Sequence, residues 1–246
     1  MTDSGIQIDR DKCLGCGLCA EICPANAMEL LGKSINVDTL YDELVKDKTF
    51  YDRSGGGVTA SGGEPTMQPT FVAHLFLKLQ GANIHTALDT CGLCSQETLK
   101  KILPHTDLIL FDLKEIDSVR HKHFTGQDNQ IILKNLLFIN NYITSTKPTL
   151  RLWIRTPLIP GATDNQHTLS AIGDFLKTNL PDQVERWELC AFNNLCTDKY
   201  NRLDREWSFA NIPLMTQEAI NQCASWAKNS GLEPERILTT GSAKME

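Results

Sequence analysis

Short apolar runs and longer amphipathic segments alternate along most of this chain. The apolar runs read as buried strands, and the segments between them have the spacing of helices. The predicted strands are 57–61, 85–90, 107–114, 150–159, 187–192 and 237–240. The predicted helices are 70–79, 96–103, 129–142, 166–178 and 217–228. This alternation predicts an α/β fold in which helices cover a parallel sheet.

Residues 34–48 also show helical spacing of apolar side chains, and we interpret them as a packing helix. Ser95 and Thr216 stand where helix N-caps belong. Gly81 and Gly231 stand where helices are expected to end.

A glycine-rich loop, Ser61-Gly62-Gly63-Glu64-Pro65, follows the first predicted strand and precedes a helix. Glycine lets the backbone turn and lets a ligand approach the main chain closely. Free amides in such a loop can bind a small polar ligand. For the glycines alone, a tight turn without a ligand is an equally good interpretation.

Polar side chains follow the other predicted strands, where parallel folds place their sites. Asp89 and Asp112 end neighbouring strands, so their carboxylates are expected to meet and to need a cation or protons between them. The alternatives are that each aspartate caps a helix and that Lys114 forms a surface ion pair with Asp112. Arg155 lies among apolar neighbours and is expected to point into the site and meet a carboxylate. Asn193 follows the fifth strand and can donate and accept hydrogen bonds.

Four cysteines near the N-terminus, Cys13, Cys16, Cys19 and Cys23, have the ferredoxin spacing and are followed by Pro24. This spacing predicts ligation of a 4Fe-4S cluster. A zinc site fits less well because zinc sites prefer paired Cys-x2-Cys units. In two-cluster ferredoxins the fourth cysteine ligates the other cluster, so the cluster served by Cys23 stays open.

For three other residues the sequence favours an ordinary structural role over a functional one. Cys91 and Cys94 have Cys-x2-Cys spacing, but buried thiols are favoured over a metal role. His121 is expected on a solvated helix face.

Composition narrows the classes of protein. With 246 residues, 41% hydrophobic and 22% charged, the chain can form one sizeable domain with a small appendage. We expect an iron–sulfur segment at 1–33 and a barrel at 34–246. The net charge of −6 gives no reason to expect nucleic acid or an anionic membrane as partner. No apolar run reaches the roughly 18–20 residues of a membrane span, and we expect a cytoplasmic location.

Several motifs together resemble the activating enzymes of glycyl radical enzymes, a branch of the radical S-adenosylmethionine (SAM) superfamily. The run 51–65 resembles the family's SGGGVTxSGGEP segment, and residues 88–92 and 112–114 resemble its LDTxG and DLK signatures. Residues 154–161 resemble its IRxPLIPG segment, and His121 falls in its H…TG..N pattern. The resemblance runs from Cys13 to about Gly241.

The resemblance implies a fold, a ligand and partners. It implies a partial, open (β/α) barrel and SAM as cofactor beside the 4Fe-4S cluster. It implies that the loop at Gly63 binds the SAM amino group, that Asp112, Leu113 and Lys114 contact SAM, and that Asn193 lies near the adenosine. Arg155 is the candidate catalytic residue. The implied partners are a glycyl radical enzyme as protein substrate and a flavodoxin- or ferredoxin-type reductant.

One family motif is absent from the sequence. No three of the nine cysteines have the Cys-x3-Cys-x2-Cys spacing that defines the superfamily. We therefore expect a barrel without its first strand and without the cluster that cleaves SAM. Three hypotheses follow: a glycyl radical enzyme activase in truncated form, an iron–sulfur electron-transfer or binding module without radical chemistry, and a barrel enzyme that uses Asp89 and Asp112 for metal-assisted chemistry.

Overall fold

A parallel six-stranded sheet forms the centre of the molecule. The computed structural model describes residues 6–243. The strands follow one another across the sheet in chain order, and every neighbouring pair is parallel. They are β1 (Gly57–Ala60), β2 (His85–Thr90), β3 (Leu108–Asp112), β4 (Arg151–Leu158), β5 (Val184–Ala191) and β6 (Ile237–Thr240). The sheet does not close, so the predicted open α/β barrel is confirmed.

Three helices precede the first strand, and the others lie between successive strands. They are α1 (Leu18–Glu21), α2 (Val37–Leu44), α3 (Lys48–Ser54), α4 (Pro69–Gly81), α5 (Gln96–Ile102), α6 (Ser118–Thr125), α7 (Gln130–Ser145), α8 (Gln166–Asn179), α9 (Thr197–Arg202) and α10 (Gln217–Lys228). Short 3₁₀ turns cover Val45–Asp47, Pro65–Met67, Leu103–His105 and Pro234–Arg236. Ser95 and Thr216 are the predicted N-caps, since their side chains accept hydrogen bonds from Thr98 N and Ala219 N.

Two apolar clusters hold the helices on the sheet. The larger one joins β3, β4, β5 and β6 to helices including α7, α8 and α10. Its largest fully buried side chain is Trp187, whose Nε1 donates to Thr156 Oγ1 at 3.0 Å. The smaller cluster joins α2 and α4 to β2. Burying one large apolar side chain contributes about 2 kcal/mol, so these clusters fix the helices in place.

Within residues 6–243, strand β1 pairs only with β2 and is therefore an edge strand. A cleft of about 640 Å³ lies beside it. Its lining includes apolar side chains of α2 and α4, among them Leu40, Leu44, Phe71 and Leu75. An unpaired strand edge next to an apolar cleft is a surface on which a further strand could pair.

The cysteine-rich segment, residues 6–33, contacts the barrel through α9. Within 6–33 the only helix is α1, and the rest has irregular structure. Arg10 Nη2 donates to the Arg202 carbonyl at 2.8 Å, and Glu29 forms an ion pair with the Arg202 side chain. No helix in the described part of the chain is long and apolar enough to cross a membrane.

Candidate active site

The loops that follow the strands meet at the C-terminal ends of the strands and enclose a polar cleft. Because the strands are parallel and in register, the ends of β1, β2 and β3 lie side by side. The cleft has a volume of about 180 Å³. It is lined by Ser61, Gly62, Gly63, Glu64, Asp89, Thr90, Cys91, Asp112 and Lys114. Three of the predicted ligand-binding residues, Gly63, Asp112 and Lys114, therefore lie together.

The glycine loop exposes its backbone to this cleft. Gly62 has a φ of 113°, a conformation that residues with a Cβ rarely adopt. A Cβ placed on Gly63 would meet no atom within 4 Å, so the space above it is open. Among the described residues, no group accepts a hydrogen bond from the Gly62 or Gly63 amide. Ser61 Oγ donates to Asp89 Oδ2 at 2.9 Å and ties the loop to β2.

Glu64 fixes the other end of the loop. One carboxylate oxygen accepts from Thr66 N at 3.1 Å, Thr66 Oγ1 at 2.7 Å and Thr90 Oγ1 at 2.8 Å. The other accepts from Cys91 N at 2.9 Å. Burial alone would raise the pKa of Glu64, but the hydrogen bonds from Cys91, Thr66 and Thr90 outweigh it and lower the pKa. The loop motif pointed to this residue, but its partners were not predicted.

Cys91 lines the polar cleft, and Cys94 lies half-buried three residues further on. Burial and, next, the neighbouring Glu64 carboxylate raise the pKa of the Cys91 thiol to about 11. Burial also raises the pKa of Cys94. Across residues 6–243 no three His, Cys, Asp or Glu side chains are arranged to hold a metal ion. The sequence predicted buried thiols at these two positions, whereas the structure has both of them half-buried.

Arg155 points into the site and meets a carboxylate, as expected. Its Nη1 donates to Asp89 Oδ2 at 2.9 Å, and its Nε lies 4.0 Å from Glu188 Oε2. Burial alone would lower the pKa of Arg155, but Asp89 and its other neighbours raise it. The guanidinium is therefore charged.

Asp89 and Asp112 end neighbouring strands and both line the polar cleft, as expected. Asp89 is paired with Arg155, and Asp112 lies 3.3 Å from Lys114 Nζ. Burial raises the pKa of Asp112, with Asp89 adding to the effect, while Lys114 and Arg155 act against it. Each carboxylate has a basic partner, and a cation shared by the two stays a prediction. Neither aspartate accepts a hydrogen bond from a helix N-terminus, so the capping alternative is wrong.

A second, more apolar cavity of about 300 Å³ adjoins the polar cleft. Asp112 and Lys114 line both cavities. The remaining lining residues are Arg155, Pro157, Ile159, Cys190, Ala191, Phe192, Asn193, Cys196 and Trp207. Asn193, predicted from its position after β5, is exposed here, and its Oδ1 accepts from Leu195 N at 3.2 Å.

Two aromatic residues of the apolar cavity were missed by the sequence analysis. Phe192 stacks on Trp207 with ring centroids 6.0 Å apart, and Tyr200 stacks on the same indole at 5.6 Å. Trp207 lies in the irregular segment between α9 and α10. No periodicity marks it there, so only its residue type could have drawn attention to it.

Leu113 does not line either cavity. Its side chain is 1% exposed and belongs to the larger apolar cluster. Its amide donates to the Arg155 carbonyl at 2.9 Å, and its carbonyl accepts from Thr156 Oγ1 at 2.7 Å. Leu113 thus holds Asp112 and Lys114 in place through its buried side chain and its two backbone hydrogen bonds.

A buried ionic network supports the loop after Lys114. Glu115 is 2% exposed and accepts from Arg120 Nε at 2.9 Å, Thr168 Oγ1 at 2.8 Å and the amides of Ile116 and Asp117. Arg120 also donates to the Ala162 carbonyl at 2.9 Å. The network joins the loops that follow β3 and β4.

His121 is buried, so the expectation of a solvated helix-face histidine is wrong. It is 4% exposed, and its Nδ1 donates to the Gln127 carbonyl at 2.7 Å. Asn129 Nδ2 donates to the carbonyls of Glu115 and Ile116 at 2.9 and 2.7 Å. The H…TG..N pattern therefore ties the turn after α6 to that helix, and the start of α7 to the loop that follows β3.

The cysteine run has the chemistry of an iron–sulfur ligand set. Cys13, Cys16 and Cys19 are exposed and Cys23 is half-buried. Gly15 and Gly17 between them adopt left-handed conformations with φ of 64° and 81°. Cys23 Sγ accepts from Ala27 N at 3.3 Å, and this and other backbone hydrogen bonds lower the pKa of the thiol. Amide donors that favour a thiolate suit a cluster ligand, so the residues fit a 4Fe-4S cluster on donor chemistry.

Comparison with known proteins assigns the class. Residues 6–29 match the family model of the 4Fe-4S binding domain. Over 213 residues the chain is 37% identical to the isethionate sulfite-lyase activating enzyme of Nitratidesulfovibrio vulgaris, covering 86% of this chain and 67% of that one. It is 35% identical to the (2S)-3-sulfopropanediol dehydratase activating enzyme of Klebsiella oxytoca, covering 92% and 70%. It is 33% identical to the pyruvate formate-lyase-activating enzyme of Staphylococcus epidermidis, covering 82% and 80%.

Solved structures agree. A domain of the pyruvate formate-lyase-activating enzyme of Bacteroides vulgatus superposes with a TM-score of 0.59 at 28% identity, over 76% of this chain and 99% of that one. Streptococcus suis SuiB bound to S-adenosylmethionine superposes with a TM-score of 0.59 at 15% identity, over 87% and 43%, which shows a shared fold.

The fold and the relatives define a radical SAM partial barrel with an iron–sulfur segment. The chain belongs to the family of glycyl radical enzyme activating enzymes. It spans about two thirds of the length of the isethionate sulfite-lyase activating enzymes that it matches. The predicted family, and with it the predicted 4Fe-4S cluster and SAM as cofactors, is confirmed.

Proposed function

We propose that this chain carries the SAM site of an activating enzyme that reductively cleaves SAM and so generates a glycyl radical on a partner enzyme. The observation that supports the proposal is the convergence of the predicted ligand residues. Gly63, Asp112 and Lys114 line one cavity, and Asn193 lines the cavity that continues from it. Residues far apart in the chain meet where the parallel strands end.

The two cavities suit the two ends of SAM. The polar cavity, with free glycine amides and paired charges, would bind the methionine end. The apolar cavity, with Phe192, Trp207 and the amide of Asn193, would bind the adenosine end. Leu113 would not contact SAM itself but would hold Asp112 and Lys114 in place. Arg155, held by Asp89, is the candidate catalytic residue at the border of the two cavities.

The iron–sulfur segment is proposed as a unit at 1–33, with the barrel at 34–246. Cys13, Cys16 and Cys19, together with Cys23, would hold a 4Fe-4S cluster, which supplies one-electron chemistry when bound. The proposed partners are a glycyl radical enzyme as protein substrate and a flavodoxin- or ferredoxin-type reductant. A cytoplasmic location, without nucleic acid or membrane as partner, fits the charge of −6.

A second candidate is an iron–sulfur electron-transfer or binding module without radical chemistry. It is favoured by one observation, the absence of a Cys-x3-Cys-x2-Cys motif among the nine cysteines. The two candidates differ in whether the chain cleaves SAM once a Cys-x3-Cys-x2-Cys loop is supplied: the first predicts that it does, and the second that it does not.

Gly63→Val tests the SAM site. A Cβ at Gly63 meets nothing within 4 Å, so the branched side chain should leave the fold intact and enter the cleft. We expect calorimetry to show SAM affinity reduced roughly tenfold or more, as expected when about 1.4 kcal/mol of binding energy is lost.

Gly32→Val is the matched control, because a Cβ there also meets nothing within 4 Å and the position is outside the cleft. It should bind SAM like the parent. Equal affinity of Gly63→Val and parent would remove the glycine loop from the SAM site.

A further inference from the structure

Glu64 lines the polar cleft, but its carboxylate binds protein groups and not the open space of the cleft. Its carboxylate faces Thr66, Thr90 and Cys91 rather than open space, and it accepts four hydrogen bonds from them. Thr90 is 2% exposed, and its Oγ1 also accepts from Gly92 N at 3.0 Å. One side chain therefore joins the glycine loop to the end of β2 and to the turn that follows.

The residue whose amide donates to Glu64 at 2.9 Å, Cys91, also carries a nucleophile. Cys91 lines the cavity that also contains Gly63, Asp112 and Lys114. Under the proposed function this cavity binds SAM, a sulfonium that alkylates nucleophiles. A thiolate there could attack the methyl carbon: a bond would form between the Cys91 sulfur and the methyl group. The bond from the methyl group to the sulfonium sulfur would break with its electron pair, and S-adenosylhomocysteine would be released.

We propose that Glu64 is a positioning residue that clamps the glycine loop to β2 and keeps the Cys91 thiol protonated, so that the cleft holds SAM without being methylated by it. The inference rests on the proposed SAM site. Negative charge next to a thiol disfavours the thiolate, and the thiolate is the form that reacts.

The charges around Cys91 act in opposite directions. After burial, Glu64 contributes most to raising the pKa of this thiol, and Lys114 lowers it. Asp89 and Asp112 line the same cavity but are paired with Arg155 and Lys114. Removing Glu64 should therefore make Cys91 more reactive, and removing Lys114 should make it less reactive.

Residue-specific alkylation tests the inference without SAM. Iodoacetamide is added at a series of pH values, and modification of each cysteine is quantified by peptide mass spectrometry. At about pH 8 we expect Glu64→Gln to alkylate Cys91 roughly three- to tenfold faster than the parent, since each unit of pKa changes the thiolate fraction tenfold. Lys114→Gln should slow the same reaction.

Cys223 is the internal control. It lies on α10, none of whose residues line the cleft, and burial raises its pKa to about 11 as well. Its alkylation should not change in either variant. An unchanged Cys91 rate in Glu64→Gln would overturn the inference, as would equal acceleration of Cys91 and Cys223, which would indicate a loosened fold. Acceleration of Cys91 in Lys114→Gln would also contradict it.

A second arm separates this inference from the proposed function. Each variant is incubated with methyl-labelled SAM, and Cys91 is examined for the added methyl group. Methylation in Glu64→Gln but not in the parent supports both proposals. Faster alkylation by iodoacetamide without methylation by SAM supports the role of Glu64 and counts against SAM as the ligand of this cleft.

Discussion

At the scale of single residues, Arg155 on β4 binds a carboxylate on β2, across the intervening strand β3. Its register neighbours on the adjacent strands are Asp112 and Glu188, yet its hydrogen bond is made to Asp89 on β2. Asp112 is engaged by Lys114, and Glu188 by Arg186 at 3.2 Å. Strand position predicted that Arg155 would meet a carboxylate. Which carboxylate it meets depends on side-chain reach and on competing cations, which the sequence does not reveal.

Asp89→Asn tests this ion pair. The variant keeps the size of the side chain but removes the charged acceptor of a guanidinium that is 30% exposed. We expect the free energy of unfolding to fall by about 1–3 kcal/mol, the range for a hydrogen bond to a charged group. Urea denaturation measures it. Combined with Arg155→Met, the two losses should be less than additive, because each removes the same contact. Additive losses would show that the pair contributes no coupling.

Glu64 and His121 show the limit of sequence reasoning for single side chains. The glycine-rich motif marked the loop, but the contacts of Glu64 with Thr90 and Cys91 join segments 26 and 27 residues apart. His121 was expected on a solvated helix face. In the fold it satisfies a carbonyl of the following turn, and this needs the turn geometry to be known.

At the scale of elements, the strands and long helices were predictable and the short polar helices were not. Helix α6, Ser118–Thr125, has a mixed polar sequence, and it begins at Asp117, whose side chain accepts from two amides. The segment predicted as one helix at 34–48 ends its α-helix at Leu44 and continues as a 3₁₀ turn and α3. Caps and tertiary contacts decide such elements, whereas α7 and α8 follow from their apolar stripes.

Glu115→Gln tests the network that joins these loops. The substitution leaves Arg120 without its carboxylate in a site where Glu115 is 2% exposed. We expect a loss of about 2–3 kcal/mol in the free energy of unfolding, below the usual cost of breaking a buried pair because Arg120 is 39% exposed. Glu185→Gln is the matched control: its pair with Arg151 is exposed on both sides, so its loss should be below about 1 kcal/mol.

The effect of Glu115 should depend on pH with a defined sign. Burial alone would raise the pKa of Glu115, but hydrogen bonds from Arg120, Thr168 and two amides lower it below its usual value of 4.5. Its stabilising contribution is therefore present above pH 4.5 and is lost as the pH falls through the folded-state pKa. Denaturation at a series of pH values should show the difference between Glu115→Gln and parent shrinking in acid. A difference independent of pH would contradict the ionic account.

At the scale of the whole molecule, the sheet is open on the side of β1. In the part of the chain that the structure describes, this strand pairs with β2 alone, and an apolar cleft of about 640 Å³ lies along that edge. The sequence predicted an open barrel from the strand count and from the resemblance to the family. It could not predict the size of the cleft, because α2 and α4, which line it, are brought together only by packing.

The whole chain also determines whether the site can carry out radical chemistry by itself. Cleavage of the sulfonium requires an electron delivered by a cluster that SAM contacts directly, and three-cysteine ligation leaves such a contact free. The nine cysteines contain only the four-cysteine ferredoxin run, whose cluster passes electrons on. We therefore predict that chain 1–246, reconstituted with iron and sulfide and reduced with dithionite, forms no 5′-deoxyadenosine from SAM, as measured by chromatography.

The control for this prediction supplies the absent motif. A strand with a Cys-x3-Cys-x2-Cys loop, taken from a relative and fused before residue 1, should pair with the free edge of β1 and fill the adjacent apolar cleft. The fusion should form 5′-deoxyadenosine and, with a cognate partner enzyme, give a glycyl radical signal in electron paramagnetic resonance. If the unfused chain forms 5′-deoxyadenosine at a comparable rate, another set of its cysteines must bind a cluster open to SAM. Cys91 and Cys94, next to the proposed SAM site, would then be the first residues to replace.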